Sequence, residues 1–285
     1  MKANYSARLR KELIDRAECF VANLGLGEHV YRSLGHPPTV LFKPYADHGT
    51  KLHDNFHPAS YGCIMQSPAW RARLEKSHSQ IRALSASDQA GAKELDSCTS
   101  SDALLMSVFC DPSVGSNLPL AQLFGFERLP VPEFGFLAEL PLLGGGKEPR
   151  STEIDMRLAG KNRMVLVESK LTEKDFTQRC KDHVRRYEGF DAVFDAGRLP
   201  EDNGGYDHYQ LLRNVLAAHH HNASFCLLCD ERRPDLQDAW QQIADAIVLP
   251  DVRRRCMAVS WQKVARTVGE DLRKFLAEKY GIGKG

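Results

Sequence analysis

The chain has 285 residues, of which 42% are hydrophobic and 26% are charged, and its formal net charge at pH 7 is +1. This composition is typical of a soluble globular protein with one large or two modest domains. The low net charge excludes a uniformly basic protein that coats nucleic acid, so any such binding must come from local basic patches. No stretch approaches the roughly 20 apolar residues of a membrane span, and the charged N-terminus lacks an apolar signal core. We therefore expect a cytoplasmic protein without a membrane partner.

The first hundred residues predict helices and loops. A helix over residues 1–24 is indicated by apolar residues at helical spacing, namely Leu9, Leu13, Ala17 and Phe20. Pro68 occupies the first turn of a second predicted helix over residues 68–84. Residues 1–99 are therefore expected to form a helical and loop-rich extension, with recognition or dimerisation as its candidate roles.

Short strand patterns begin after Glu133. Residues 134–140 (FGFLAEL) form a first candidate strand, and residues 152–158 (TEIDMRL) alternate apolar and polar side chains as a second. Residues 163–170 (RMVLVESK) are apolar on both faces until their end, which is typical of a central strand. The intervening AGKN predicts a turn that joins the second and third strands as a hairpin.

The remaining elements alternate between helix and strand. Thr172, with Asp175 three residues later, has the spacing of a capping box and predicts a helix to about Phe190. Further patterns predict a helix (206–220), a strand (223–230), a helix (236–247), a short strand (255–261) and a C-terminal helix. Ser100 or Ser101 can cap a further helix that precedes the first strand. From that helix to the strand over 223–230, the order is helix, three strands, helix, strand, which predicts an α/β layer fold with a small mixed sheet.

Charged residues end the third predicted strand. Glu168 and Lys170 share one face while Ser169 points away, and a hairpin would bring Asp155 towards them. Crowded carboxylates favour a bound cation, and oxygen ligands suit Mg²⁺ or Mn²⁺. A nearby lysine can orient or help deprotonate an attacking water and offset charge on a phosphoryl oxygen. This combination favours phosphodiester hydrolysis.

Asp155 followed by Glu168-Ser169-Lys170 resembles the D…ExK signature of the PD-(D/E)XK nuclease superfamily. The order of elements from about Ser100 to Asp230 is similar to its restriction-endonuclease-like core, αβββαβ, and two flanking segments resemble bacterial members. The resemblance implies DNA cleavage, with Asp155, Glu168 and the Ser169 carbonyl as metal ligands and Lys170 serving the attacking water. It places the nuclease core at residues 100–261 and a C-terminal helix at 262–285. Ile154 stands where the family has proline.

Several further residues are candidates for the site or for DNA binding. Many superfamily members use an acid from the first core helix, for which Asp102 and Glu94 are both available. The other candidate site residues are Glu153, Gln178, Gln210 and Arg213, and each has the alternative of a solvated or supporting role. A basic run is predicted on one helix face and contains Arg179, Lys181, Arg185 and Arg186. This face could bind DNA phosphates, and a plain solvated face is the alternative.

Other chemistries are weighed against this hypothesis. Three histidines precede Cys226 and Cys229 and suggest zinc, but two strand residues three apart point to opposite faces. His53 and His57 hint at a histidine-metal nuclease without a matching downstream pattern. Neither a G-x-S-x-G elbow nor a nucleotide phosphate loop is present in the sequence, so no nucleotide cofactor is expected. A catalytically idle nucleic-acid-binding module remains an alternative, while double-strand cleavage would favour a homodimer.

Overall fold

The computed structural model describes residues 4–33, 38–77, 93–144 and 151–283. Contacts within the chain define two units, each described separately below. The first contains Met1–Leu123, Glu127–Leu129 and Trp261–Gly285, and the second contains Phe124–Phe126 and Pro130–Ser260. The boundaries 1–99, 100–261 and 262–285 concern function rather than contacts, and they stay a prediction.

The first unit begins with α1 (Tyr5–Leu24), which confirms the first predicted helix. Its buried face consists of Leu9, Leu13, Ile14, Ala17 and Val21. The Asn4 side chain accepts a hydrogen bond from Ala7 N at 3.0 Å and caps the first turn. Gly25 ends the helix at φ 66°, a left-handed conformation that glycine adopts without steric cost.

Short strands and helices complete the N-terminal part of this unit. Two antiparallel hairpins pair β1 (Val30–Arg32) with β2 (Val40–Phe42) and β3 (Tyr45–Asp47) with β4 (Thr50–Leu52). The helices that follow are α2 (Pro58–Gln66), α3 (Pro68–Arg73), α4 (Ser101–Phe109) and α5 (Leu118–Leu123). The helix predicted over 68–84 therefore ends earlier than expected, and its last seven residues lie outside the described residues. Ser100 caps α4 by accepting from Ala103 N at 3.2 Å.

The second unit contains the three strands predicted in succession. They are β5 (Pro132–Glu139), β6 (Ser151–Ala159) and β7 (Met164–Lys170). In β6 the alternating residues Ile154, Met156 and Leu158 are buried, as the period-two pattern predicted. Residues 165–170 of β7 are all buried, which confirms the prediction of a strand covered on both faces.

The prediction of one helix from Thr172 to about Phe190 is wrong. The chain forms β8 (Gln178–Cys180) followed by two short helices, α6 (Lys181–Val184) and α7 (Phe190–Val193). The cause is local, because Asp175 Oδ1 accepts from Thr177 N at 2.9 Å in a turn, and Thr177 has φ 60°, which a right-handed helix excludes. With β9 (Glu201–Asp202) and β10 (Gly205–Asp207), β8 forms a small sheet in the order β8-β10-β9.

The later elements follow the sequence patterns closely. They are α8 (Tyr209–His220), β11 (Ser224–Cys229), α9 (Pro234–Ala246), α10 (Pro250–Arg255) and β12 (Cys256–Ser260). The main sheet has the order β12-β11-β7-β6-β5, and β7 pairs antiparallel with β6 and parallel with β11. The predicted mixed α/β sheet is confirmed. The αβββαβ core stays a prediction, since α4 belongs to the first unit and the long helix between β7 and β11 is α8 rather than the segment after Thr172.

The chain then returns to the first unit through α11 (Trp261–Ala265) and α12 (Glu270–Tyr280). Helix α12 presents an apolar face in which Leu272, Phe275 and Leu276 are buried, as expected for the predicted C-terminal amphipathic helix. Within the described parts of the chain, no helix combines the length and apolar character that crossing a membrane requires.

Candidate active site

The hairpin of β6 and β7 positions the two acids recognised in the sequence. Its paired residues run from Ala159 with Met164 to Met156 with Val167, and Asp155 and Glu168 come next on the two strands. Gly160 N donates to Arg163 O at 2.8 Å and closes the connecting turn. The predicted AGKN turn is thereby confirmed, and it sets the register that brings Asp155 to the end of β7.

The side chains of Asp155, Glu168 and Lys170 lie together at this end of β7. Asp155 Oδ2 accepts a hydrogen bond from Ser169 N at 2.8 Å. Lys170 Nζ lies 2.9 Å from Glu168 Oε1, in an ion pair whose side chains are 9% and 1% exposed. Glu168 and Lys170 are therefore buried charges linked to the partly buried Asp155 by short polar contacts, and burial strengthens each electrostatic interaction between them.

Helix α8 holds Glu168 from the other side. Gln210 Nε2 donates to Glu168 Oε1 at 2.6 Å, and Asn214 Nδ2 donates to Glu168 Oε2 at 2.8 Å. Asn214 is fully buried, and its Oδ1 accepts from Thr152 Oγ1 at 3.3 Å. Sequence reasoning included Gln210 but missed Asn214 and Thr152. The four-residue spacing of Gln210 and Asn214, which places both on one helix face, could have identified the pair.

The loop after β7 contributes a third acid that sequence reasoning also missed. Glu173 Oε2 accepts from Leu171 N at 2.7 Å, so the side chain folds back towards the strand end. The fully buried Arg233 fixes this loop by donating to Leu171 O at 2.9 Å and to Lys174 O at 3.4 Å. Arg233 lies just after β11, far away in sequence, so no local pattern connects it with Glu173.

The electrostatics of the cluster centre on Lys170. Burial disfavours its ammonium form, but the nearby carboxylates of Glu168, Glu173 and Asp155 outweigh burial and raise the pKa of the Lys170 amine above its ordinary value. Lys170 therefore carries a positive charge at neutral pH. Glu168, which forms the direct ion pair, makes the largest of these three contributions.

The donor atoms present fit a hard divalent ion. Asp155, Glu168 and the Ser169 carbonyl offer oxygen ligands only, the set that Mg²⁺ and Mn²⁺ prefer with water completing the shell. Glu168 Oε2 accepts one hydrogen bond in the cluster, so a second lone pair of that oxygen remains for a ligand bond. Among the described residues, no group of three or more His, Cys, Asp or Glu is arranged to hold a metal.

The other candidate acids and Gln178 have different neighbours. Asp102 belongs to the first unit, and its carboxylate pairs with Arg73 Nη2 and with Lys76 Nζ, each at 2.9 Å. Gln178 Nε2 donates to Asp202 O at 2.6 Å and to Asp207 Oδ1 at 3.0 Å, within the small sheet. Glu153 is exposed on β6, and Glu94 lies in a short 3₁₀ turn of the first unit. Any catalytic role for these residues stays a prediction.

The basic residues proposed for DNA binding do not share one helix face. Arg179 lies in β8, whereas Lys181 is in α6 and Arg186 follows it. Lys181 pairs with Glu201 and lies 5.5 Å from the centre of the Tyr206 ring. Their contact with DNA stays a prediction, without the helical spacing that first suggested it.

Two of the remaining basic candidates bind protein groups. Arg185 Nε donates to Tyr206 OH at 3.1 Å. Arg213 Nη2 donates to Ser151 O at 2.7 Å, and its guanidinium lies 5.3 Å from the centre of the Tyr209 ring. Within the part of the chain that the structure describes, the buried Arg213 Nε has no hydrogen-bond partner. Arg213 therefore supports β6 through its hydrogen bond to Ser151 O.

The residues behind the zinc and histidine-metal alternatives have structural environments. Cys226 and Cys229 are buried in β11, where burial raises the pKa of both thiols and therefore opposes the thiolate form that zinc binds. His53 Nε2 lies 3.1 Å from Asp96 Oδ1, and His57 Nδ1 lies 3.1 Å from Asp111 Oδ2. Because each histidine has its own carboxylate partner, the two do not converge on one ion.

Comparison with known proteins gives an independent result. A family model described as "Restriction Endonuclease associating with ARP" matches residues 39–281. No curated protein matches the chain, and no solved structure does. The matched range begins just before β2 and contains the whole main sheet, together with Asp155, Glu168 and Lys170. Because the match extends over most of its length, the chain belongs to this restriction endonuclease family.

Proposed function

We propose that the chain is a Mg²⁺-dependent endonuclease of the restriction or defence type that hydrolyses DNA phosphodiester bonds with a PD-(D/E)XK site. The observation that carries this proposal is the contact network of Asp155, Glu168 and Lys170 at the end of the central strand. Family membership supports a nuclease role on separate grounds. The buried, charged and hydrogen-bonded cluster supports chemistry at this position, because burial of charge is costly and perturbed ionisable groups concentrate at functional sites.

Each residue of the cluster has a distinct role in this mechanism. Asp155, Glu168 and the Ser169 carbonyl would hold Mg²⁺ or Mn²⁺. When bound, the ion supplies Lewis-acid activation and neutralises charge on the scissile phosphate. Lys170 donates a hydrogen bond that orients the attacking water and offsets the charge that develops on the phosphoryl oxygens.

Two amide side chains act as positioning residues for Glu168. Gln210 and Asn214 donate to its two oxygens and fix their directions without neutralising their charge. A carboxylate held this way reaches its ligand geometry without reorganisation, which is how supporting hydrogen bonds raise metal affinity. Thr152 extends the chain of hydrogen bonds to β6 through Asn214.

The partners follow from the reaction. Arg179, Lys181, Arg185 and Arg186 would contact DNA phosphates, which position a duplex without reading its sequence. Cleavage of both strands requires two active sites, and a homodimer supplies them. A cytoplasmic location, where such an enzyme meets DNA, is part of the same proposal.

A second candidate function is a catalytically idle DNA-binding module of the same fold. The observation that favours it is that three side-chain donors, from Gln210, Asn214 and Lys170, already contact the carboxylate oxygens of Glu168. In such a module Lys170 would replace the metal as a permanent counter-ion. Binding of DNA without cleavage distinguishes this module from the nuclease.

The deciding experiment is incubation of the purified protein with supercoiled plasmid, with and without Mg²⁺ or Mn²⁺. We expect nicked or linear product that EDTA suppresses and that Asp155→Ala abolishes. Glu139→Ala, which removes an exposed carboxylate of β5, is the matched control and should cut at the wild-type rate. Retained plasmid binding with no product under either ion would favour the idle module.

A further inference from the structure

The first unit contains a pocket of ≈ 460 Å³ that none of the proposed catalytic residues lines. This volume lies in the range of sites for small molecules, roughly 300–1,000 Å³. The residues that matter for its chemistry are Tyr45, Lys51, His53, Tyr61, Arg71 and Asp96. They combine aromatic rings, one buried carboxylate and exposed cations, while the second lining carboxylate, Glu75, is paired with Lys93. The pocket therefore suits a flat polar ligand that carries negative charge.

The polar group inside the pocket is the buried pair of His53 and Asp96. His53 Nδ1 accepts from Asn55 N at 3.4 Å, which leaves Nε2 as the donor to Asp96 Oδ1 at 3.1 Å. Asp96 Oδ2 accepts from Lys93 N at 3.1 Å. Since each carboxylate oxygen has a second lone pair, Asp96 keeps two adjacent acceptor positions for a ligand.

Two tyrosines give the pocket aromatic surface. The Tyr45 ring stacks on His29, with ring centres 3.8 Å apart and an angle of 10° between the planes. Tyr45 therefore presents a ring that is already braced on one side. Tyr61 is 4% exposed, and its ring stacks on Phe56 with centres 5.6 Å apart. Because Tyr61 is almost fully buried, it forms part of the pocket wall, and Tyr45 is the ring that can stack on a flat heterocycle.

Two cations at the pocket remain available to a ligand. Lys51 and Arg71 are both exposed, and across the described ranges neither forms an ion pair. Lys93, which also lines the pocket, is paired with Glu75 Oε2 at 2.6 Å. A lysine and an arginine free to act together are suited to a phosphate group, which accepts hydrogen bonds from both.

We propose that this pocket binds a guanine nucleotide, with the base edge against Asp96 and the phosphate at Lys51 and Arg71. Guanine presents adjacent N–H donors at N1 and N2, which match the two acceptor positions of one carboxylate. Adenine presents an acceptor at N1, which would face the negative carboxylate. The nucleotide is either free in solution or part of a DNA strand whose base is turned out of the helix. The proposal does not depend on the nuclease assignment.

Calorimetric titration of the intact protein with dGMP, dAMP and inorganic phosphate tests this proposal. We expect saturable binding of dGMP, at least about tenfold tighter than that of dAMP, because two hydrogen bonds to a carboxylate are gained. Asp96→Asn keeps the shape of the side chain and should remove this preference. The double variant Lys51→Ala/Arg71→Ala should weaken both nucleotides by a similar factor of about ten or more.

Lys274→Ala is the matched control, because this exposed lysine lines a different groove of the same unit. It should bind dGMP as the wild type does. Equal affinity for dGMP and dAMP would overturn the proposal, as would phosphate that binds as tightly as dGMP. Should Asp96→Asn fail to fold, the surface double variant still decides, since dGMP affinity unchanged by it would also overturn the proposal.

A second measurement identifies the source of the nucleotide. In a duplex with the fluorescent base 2-aminopurine placed next to a guanine, extrusion of that guanine unstacks the probe. A rise in fluorescence on binding that excess dGMP reverses would assign the pocket to an extruded guanine. Binding of dGMP that duplex DNA leaves unchanged would assign it to the free nucleotide, and both outcomes support the pocket. The Asp155→Ala variant should bind dGMP normally, so failure of the cleavage assay and failure of this proposal are separate results.

Discussion

Replacement of Lys170 by methionine tests whether the ion pair with Glu168 stabilises the folded chain as well as the reaction. The pair has a separation of 2.9 Å, and its side chains are 9% and 1% exposed. At an effective dielectric constant of about 20, the attraction at this distance is about 6 kcal/mol. Burial of both charges offsets part of it, and loss of one partner of a buried pair typically costs about 3–5 kcal/mol.

We place Lys170→Met near the lower limit, at about 3 kcal/mol, because Gln210 and Asn214 still donate to Glu168. Chemical unfolding in urea, followed by circular dichroism, measures this loss. The double variant Lys170→Met/Glu168→Gln should be more stable than the sum of the single effects predicts, by about 2 kcal/mol or more. Cleavage by Lys170→Met should fall by on the order of a hundredfold.

Lys161→Met is the control for Lys170→Met, because it removes an exposed lysine from the turn between the same two strands. Its free energy of unfolding should stay within about 0.5 kcal/mol of the wild type. If Lys170→Met were as stable as this control, or if the effects of the two substitutions were additive, the buried pair would not be coupled. The electrostatic account of the cluster would then be wrong.

Three further predictions concern other residues. Asp155→Ala should abolish the heat of Mn²⁺ binding in calorimetry. Its cost in stability should stay below about 3 kcal/mol, because relief of carboxylate crowding offsets part of the loss of the partner of Ser169 N. Asn214→Leu should cost about 1–3 kcal/mol in urea unfolding, since Glu168 and Thr152 each lose a buried partner. Burial places the pKa of Lys279 well below its usual range, so the unfolded chain binds a proton that the folded chain does not. Stability should therefore rise with pH between that lowered pKa and about 10.4, and Lys279→Met, but not Lys274→Met, should flatten this rise in melting temperature.

The hairpin that carries the site was predictable because its information is local. Alternation in β6, an apolar run in β7 and the AGKN turn between them fix which residues face each other. The approach of Asp155 to the end of β7 follows from that register. The family match supports a restriction-endonuclease-like chain, and the PD-(D/E)XK assignment that began from four residues stays a prediction.

The supporting residues of the site were less predictable because they come from distant segments. Asn214 reaches Glu168 across 46 positions of sequence, and Arg233 fixes the Leu171 carbonyl across 62. The segment after Thr172 failed for a different reason. Its Thr-x-x-Asp spacing fits a helix cap, but Asp175 closes a turn instead, and the left-handed Thr177 prevents helix formation. Pairing of β8 with β10 stabilises that alternative, and no local pattern encodes such a contact.

The buried carboxylates of Asp102 and Glu168 differ in how their charge is balanced. Asp102 faces two cations, Arg73 and Lys76, so a metal would have to displace groups that already satisfy it. At the end of β7, the carboxylates of Glu168, Glu173 and Asp155 all raise the pKa of one buried amine, that of Lys170. The amides of Gln210 and Asn214 orient Glu168 and leave its charge in place. A protein that needed only a stable strand end could have placed arginine where Gln210 or Asn214 stands, and the use of neutral donors there favours a site that keeps its charge for a bound cation.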